Sequence, residues 1–183
     1  RDNFDRMAVA NFWSFATMVL RQKLKLFIVF LFILVSDQVS KLLARQYLLE
    51  NESVSILSEY FKLQLSYNAG AFLSFGSAWP SSLRWLVFIG FVILFLIFLI
   101  RLMREPSNTF YQRLSYCLIL GGGAGNLIDR IVFGHVTDFL WMGIGSLQTG
   151  IFNIADMAIL FAVIFLIGDE IFQKFIPRIT KRS

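Results

Sequence analysis

The stretch GGGAGNLIDRIVFGHVTDF, residues 121–139, places polar residues directly behind a glycine-rich apolar segment. It contains Asp129 and Asp138, and a third carboxylate, Asp156, follows in FNIAD, residues 152–156. A carboxylate in or beside a membrane helix costs free energy, so its presence indicates a functional site. Two carboxylates brought together in an apolar frame share one proton, which is the arrangement that aspartic proteases use.

The chain around these stretches is strongly apolar. Of its 183 residues 57% are hydrophobic, and 21 are Phe, whereas a soluble domain is about 45–50% apolar. We therefore predict one integral-membrane domain over residues 21–183. Residues 1–20 are predicted to be a lead-in that is interfacial, disordered or added by cloning, because their apolar part is too short to cross a bilayer.

Four apolar segments can cross a bilayer, which takes roughly 17–25 residues per helix. They are about residues 26–44, 84–100, 110–129 and 151–168. Twelve of the 17 basic residues precede the first segment, separate the second from the third or follow the fourth. The positive-inside rule therefore predicts cytoplasmic termini. The predicted fold is an all-α membrane bundle of four transmembrane helices, with the polar residues of three helices at its outer face.

The outer connections carry two further patterns. Residues 61–67 alternate between apolar and polar side chains, which predicts a strand, and a turn at residues 68–70 predicts a second strand after it. This outer β-hairpin is either a surface-packing element or a cradle that binds an extended peptide through main-chain hydrogen bonds. Residues 139–150 are predicted to be a short outer loop or helix that could act as a flap.

Several classes of function are excluded by residue counts. The single histidine, His135, excludes HExxH zinc chemistry, and the single cysteine, Cys117, excludes a disulfide framework. We therefore predict no metal and no cofactor. The basic residues lie at the ends of apolar runs and form no stripe with aromatic residues, so nucleic acid is not an expected partner. Ser74 or Ser77 with a lysine remains an alternative nucleophile.

The choice of catalytic pair follows from charge. Asp129 adjoins Arg130, which favours a structural ion pair, whereas Asp138 and Asp156 have no basic residue within several positions. The residues alone favour Asp138 with Asp156, and Asp129 with Asp156 remains open. Asn126 shares a helical face with Arg130.

Three more spacings support a site at this depth. Asn153 shares a helical face with Asp156, three residues on. Asp37 and Lys41 are four residues apart with the acid first, which fits either a structural ion pair or a pair that orients substrate. Gly121 and Gly125 predict a close approach of another backbone.

Four stretches of the chain resemble the bacterial lipoprotein signal peptidase (signal peptidase II) family. They are SDQVSKLLARQY (36–47), YNAGAFLSFG (67–76), GGGAGNLIDRIVFGHVTDF (121–139) and FNIADMAI (152–159). The last two, in this order, are highly specific to the family. Residues 1–20 lie outside the resemblance.

The resemblance implies an aspartic endopeptidase of the bacterial inner membrane. It would remove signal peptides from prolipoproteins, cutting before a diacylglyceryl-modified cysteine, and lipophilic cyclic peptides such as globomycin would inhibit it. The implied catalytic pair is Asp138 and Asp156. The implied supporting residues are Asp37, Lys41, Asn68, Asn126, Arg130 and Asn153. We expect Asn126 and Asn153 to hydrogen-bond substrate backbone, and Arg130 to hold substrate or shape the pocket through Asp129.

Two other classes of function stay open from the residues. The carboxylates Asp37, Asp138 and Asp156 could form an ion or proton relay in a small transporter. The chain could also be a non-enzymatic assembly scaffold. The polar residues cluster at one face and do not cross the bilayer, which counts against a relay.

Overall fold

The computed structural model describes residues 2–50, 52–57, 59–70 and 78–180 of the chain. The five α-helices are α1 (Asp2–Tyr47), α2 (Ser81–Arg84), α3 (Val92–Met103), α4 (Phe110–Phe133) and α5 (Ile154–Thr180). A π-helical segment, Trp85–Phe91, joins α2 to α3. The four strands are β1 (Ser53–Leu57), β2 (Phe61–Asn68), β3 (Val136–Ile144) and β4 (Leu147–Gln148).

The predicted transmembrane segments all lie largely in helices. Two helices of the described chain are long and apolar enough to cross a membrane, Leu20–Tyr47 and Phe110–Phe133, and Ile89–Met103 is a shorter apolar helix. The fourth predicted segment starts three residues too early, because α5 begins only after Asn153. A membrane bundle with four crossings therefore remains a proposal for this chain.

Helix α4 lies at the centre and contacts α1, α3 and α5. A capping box at Thr109 starts it, and Gly134 ends it in the left-handed conformation, at φ 78°. A Cβ on Gly122 would lie 2.5 Å from the carbonyl oxygen of Ala155 in α5. A Cβ on Gly121 would lie 3.1 Å from the Ile33 side chain in α1. The close packing predicted from the glycines is confirmed.

The four strands form one antiparallel sheet in the order β1-β2-β3-β4. The strand predicted at residues 61–67 is confirmed as β2. The second strand of the predicted hairpin falls on residues 71–77, which lie outside the described residues. β2 pairs instead with β1, just before it in the chain, and with β3, about 70 residues later.

The prediction of a loop or helix at residues 139–150 is wrong. Most of this segment is strand, because β3 continues to Ile144 and β4 turns back against it at Gly143 and Ile144. The sequence of β3, VTDFLWMGI, is rich in β-branched and aromatic residues, and its first five residues are buried. Phe139 and Leu140 of β3 pack in one buried cluster with Ala44 of α1 and Leu65 of β2.

A short bridge ties β3 to the residue that leads into α5. Leu140 and Phe152 exchange backbone hydrogen bonds of 2.8 and 2.9 Å, and the N–H of Phe139 donates to Phe152 at 3.0 Å. The bridge brings the start of β3 beside the start of α5. Asp138 and Asn153 become neighbours for this reason, although 15 residues separate them.

Candidate active site

Polar side chains from α1, α4, β3 and α5 meet at one end of the helix bundle. This end holds the C-terminal turns of α1 and α4 and the first turn of α5. Five of these side chains are completely buried, at 0% exposure, namely Asp37, Lys41, Asp129, Thr137 and Asn153. Buried polar groups cost free energy unless they are hydrogen-bonded, so their partners describe how the site is held.

Asp156 lies in the first turn of α5, where it completes a reciprocal cap with Asn153. The Asn153 side chain accepts from the N–H of Asp156 at 2.9 Å, and the Asp156 carboxylate accepts from the N–H of Asn153 at 3.2 Å. This is a capping box with Asn153 as its first residue. The helix dipole and the N–H donor both stabilise negative charge on Asp156.

Asp138 lies near the start of β3, opposite Ser66 of β2 and beside an irregularity in strand pairing. It is only 3% exposed. Its carboxylate accepts from the Asn153 side chain at 2.6 Å and from the Asn68 side chain at 3.3 Å. Asn153 therefore touches both aspartates, one through its side-chain amide and the other through its backbone N–H.

The two aspartates have different surroundings. Burial, and after it the nearby charge of Asp156, raise the pKa of Asp138 to about 7, although the hydrogen bonds from Asn153 and Asn68 and the charge of Lys41 act in the opposite direction. Asp156 is partly exposed, which leaves it within reach of a water molecule. Asp138 therefore keeps its proton to a higher pH than an ordinary aspartate does, because its charged form is poorly solvated and lies near another carboxylate.

Asn126 of α4 connects the aspartates to a buried lysine. Its amide nitrogen donates to Asp156 at 2.8 Å, and its amide oxygen accepts from Lys41 at 2.8 Å and from Asn153 at 3.1 Å. All of these bonds require the same orientation of the amide group. Lys41, which can only donate, fixes that orientation by occupying the oxygen side.

Each aspartate of the pair follows a residue whose backbone N–H donates to a buried carboxylate. Asp129 accepts from the N–H of Thr137 at 2.9 Å, and Thr137 precedes Asp138. Asp37 accepts from the N–H of Ala155 at 2.9 Å, and Ala155 precedes Asp156.

Lys41 is the cation shared by these two carboxylates. Its ammonium nitrogen lies 2.8 Å from Asp37 and 3.6 Å from Asp129. A single buried lysine therefore forms ion pairs with both of the carboxylates that hold the aspartate backbone.

Arg130 connects α4 to the segment that follows β2. Its guanidinium donates to the carbonyl oxygen of Gly70 at 3.0 Å and to that of Asn126 at 3.3 Å. The same segment is shaped by Asn68, whose side-chain oxygen accepts from the N–H of Gly70 at 3.0 Å. Arg130 thus holds the backbone two residues after Asn68, whose side chain contacts Asp138.

The structure shows partners for Asp129 that the sequence did not reveal. We expected Arg130, its neighbour in sequence, but the ion pairs of Asp129 run to Lys41 and, at 3.8 Å, to Arg45. Gln38 also donates to Asp129 at 3.4 Å. Arg45 is four residues after Lys41 and so shares its helical face, a spacing that could have identified it.

The remaining sequence candidates lie apart from this cluster or outside the described residues. Ser74 and Ser77 fall within residues 71–77, which are not described. Cys117 is buried in α4, with its sulfur 3.8 Å from the Met103 sulfur. His135 packs on the Tyr67 ring, and burial lowers its pKa. Within the described ranges no three His, Cys, Asp or Glu side chains gather as metal ligands would.

Comparison with known proteins gives consistent matches over most of the chain. The model of a family described as signal peptidase (SPase) II matches residues 29–172. The lipoprotein signal peptidase of Francisella tularensis subsp. novicida (strain U112) is 40% identical over 157 residues, which cover 85% of this chain and 97% of that protein. The lipoprotein signal peptidase of Tolumonas auensis is 36% identical over 147 residues, 78% of this chain and 87% of that protein.

A solved structure has the same fold. It is titled as a bacterial membrane enzyme determined by the in meso method at 2.3 Å resolution. The TM-score is 0.74 at 23% sequence identity, over 82% of this chain and 90% of that one. At this identity the similarity concerns the fold alone.

Proposed function

Since the chain belongs to the signal peptidase II family, we propose that it removes signal peptides from prolipoproteins, with Asp138 and Asp156 as an aspartic catalytic pair. The observation that carries the proposal is the bridge made by Asn153, which bonds one aspartate through its side chain and the other through its backbone. The bridge brings two carboxylates into one small polar cluster.

The different surroundings of the aspartates suggest different roles. Asp156, in the first turn of α5, is the general base: its carboxylate takes a proton from water, and the water oxygen attacks the scissile carbonyl carbon. Asp138, whose pKa is raised to about 7, is the general acid. It polarises the carbonyl oxygen and then gives its proton to the leaving nitrogen as the carbon–nitrogen bond breaks.

The supporting residues hold this pair in place. Asn126 and Asn153 bond the carboxylates and each other, so in this proposal they orient the pair; contacts to substrate backbone would be additional. Asp129 holds the backbone N–H before Asp138, and Asp37 holds the one before Asp156. Lys41 forms ion pairs with both of these supporting carboxylates. Preorganisation of this kind lowers the barrier because no group must be moved into place during the reaction.

The substrate we propose is a signal peptide followed by a diacylglyceryl-modified cysteine. Its lipid chains would stay in the bilayer while its helix lies alongside, so the scissile bond would reach the ends of the helices, where Asp138 and Asp156 lie. We place the protein in the bacterial inner membrane, with several crossings, cytoplasmic termini and an outward-facing site. The sheet would act as the cradle for an extended peptide, and globomycin-like cyclic peptides would compete for it.

A mobility-shift cleavage assay in detergent tests this function. The substrate is a diacylglyceryl-modified prolipoprotein, and its unlipidated form is the control. We expect wild type to cut the lipidated form only. Asp138→Asn and Asp156→Asn should each lose about a thousandfold or more in kcat, the scale on which one member of a catalytic unit acts.

The matched control variant is Asp169→Asn. Asp169 is also a buried carboxylate of α5, but it lies towards the far end of the helix, where it accepts from Thr109 and Gln173. It should retain activity. Normal cleavage by both Asp138→Asn and Asp156→Asn would refute the catalytic pair. An inactive wild type that instead conducts ions in liposomes, with conduction lost in Asp156→Asn, would favour the transporter.

A further inference from the structure

Thr137, the residue directly before Asp138, is held at three separate atoms, one of which is its carbonyl oxygen, which accepts from the Asn153 side chain at 3.4 Å. Its backbone N–H donates to Asp129 at 2.9 Å, and its side-chain hydroxyl accepts from Arg45 at 2.8 Å. Thr137 is fully buried. β3 is already paired with β2 at this residue, and the bonds from Asp129 and Arg45 add to that pairing in fixing the orientation of Thr137 as well as its position.

Arg45 joins three elements of the fold. From the last turn of α1, it donates to Thr137 of β3, pairs with Asp129 of α4 at 3.8 Å, and stacks over the Phe133 ring with its central carbon 4.5 Å from the ring centre. Its side chain is 19% exposed. The planar guanidinium can stack and donate at once, which the ammonium of a lysine cannot.

The position of Asp138 depends on this arrangement. The bond from Asn153 to Asp138 is short, at 2.6 Å, and a catalytic geometry must be held within about 0.5 Å to remain productive. Moving Thr137 moves the adjacent backbone of Asp138 and lengthens that bond. Asp129 anchors the N–H of Thr137, and among the described residues Arg45 is the partner that holds its hydroxyl.

We propose that Arg45 is a positioning residue for Asp138, acting through the hydroxyl of Thr137. The proposal rests on the proposed function in one respect, which is that Asp138 takes part in the reaction. Arg45 does not touch the reacting atoms. It should therefore affect the rate of the chemical step and leave the binding of substrate unchanged.

Cleavage kinetics test the path through the hydroxyl. Arg45→Gln and Thr137→Val should each lower kcat about tenfold with KM unchanged, the effect of losing one charge-assisted hydrogen bond. The double variant should be no slower than the slower single one, because both changes remove the same bond. Thr137→Ser keeps the hydroxyl and should retain activity close to wild type. Arg21→Gln, an exposed position of α1, controls for loss of positive charge.

The competing explanation is that Arg45 only stabilises the fold. Losses that multiply in the double variant, or a raised KM with kcat unchanged, would overturn the proposal. So would full activity of Thr137→Val. The thermal unfolding midpoint of each variant, measured in the same detergent, shows whether any loss follows from reduced stability.

Hydrogen exchange decides the proposal even if no cleavage is observed. In Arg45→Gln, backbone exchange in the peptide covering β3, Val136–Ile144, should accelerate while exchange in the middle of α4 and α5 stays as in wild type. Uniform acceleration, or no change in β3, would overturn the proposal. Inactive wild type or active Asp138→Asn would refute the proposed function; a normal β3 in Arg45→Gln would refute only the positioning role.

Discussion

Replacing Asn153 should move the pH dependence of the enzyme in a direction set by the bond to Asp138. Asn153 donates to that carboxylate at 2.6 Å and lowers its pKa, which burial and the Asp156 charge raise to about 7. Without this donor, fewer interactions lower the pKa of Asp138, while burial and the charge of Asp156 still raise it. The pKa of Asp138 should therefore rise further.

The size of the shift follows from the strength of the bond. A hydrogen bond to a charged group contributes about 1.5–3 kcal/mol, and one pKa unit corresponds to about 1.4 kcal/mol. Loss of the bond should thus raise the pKa by about one to two units. In the proposed mechanism Asp138 is the general acid and acts when protonated, so activity should fall as pH rises through its pKa, and the alkaline limb of kcat/KM should move to higher pH.

Two substitutions separate this electrostatic effect from the structural role of Asn153. Asn153→Ser keeps an oxygen that can cap α5 but loses the amide donor, whereas Asn153→Ala loses both. Both should show the shifted alkaline limb and a lower maximal rate. Only Asn153→Ala should also lose about 1 kcal/mol of stability through the missing cap.

The assay is the pH profile of kcat/KM for the lipidated substrate, which reports the free enzyme. Asn108→Ser is the control, because it also removes an amide donor, here to the Leu102 carbonyl in the α3–α4 connection. Its profile should match wild type. An alkaline limb that stays in place, or moves to lower pH, in Asn153→Ser would refute the assignment of Asp138 as the acid.

Three further predictions follow from buried groups. Lys41→Met leaves two buried carboxylates without their shared cation and should destabilise the protein by about 3–5 kcal/mol. Thermal unfolding checks this against Lys174→Met, which removes only an exposed ion pair, and equal midpoints would contradict it. Gly125→Ala would push a Cβ into the buried carboxylate of α1, whose carbon lies 3.1 Å away, and should cost about 1–3 kcal/mol. Gly90→Ala has open space, so a similar loss there would argue against crowding. Asp138→Asn removes a carboxyl whose raised pKa makes the folded state lose stability as pH rises from about 4 to about 7; its unfolding midpoint should exceed wild type above pH 7 and converge with it near pH 4, and a constant difference would contradict this linkage.

The sequence predicted much of the site because its signals are local. Helical spacing paired Asp37 with Lys41 and Asn153 with Asp156, and the structure has both pairs in contact. Alternation at residues 61–67 identified β2 for the same reason. Chain direction and the distribution of charge predicted that the polar ends of three helices lie at one depth. The side-chain hydrogen bonds between those helices agree with this prediction.

What the sequence could not predict depends on contacts between distant segments. Residues 139–150 are rich in glycine, which resembles a loop, and only the pairing of β3 with β2 makes most of the segment a strand. Asp129 has a basic neighbour in sequence, yet its ion pairs are formed across a helix interface with Lys41 and Arg45. Thr137 gave no signal of its own, because the partner of its hydroxyl, Arg45, lies far from it in the chain.

Because of the bridge between Leu140 and Phe152, the length of the segment between these two residues does not determine the geometry around Asp138 and Asp156. The pairing of β3 with β2 ends at Met142, and the residues after it turn back at Gly145, where φ is 59°, and return to the fold at Phe152, so they form a closed excursion. Doubling the length of such a loop costs only about 0.6 kcal/mol of closure entropy. Related sequences can therefore differ in the length or composition of this segment, and so in the surface it forms, while Asp138 and Asp156 keep their positions.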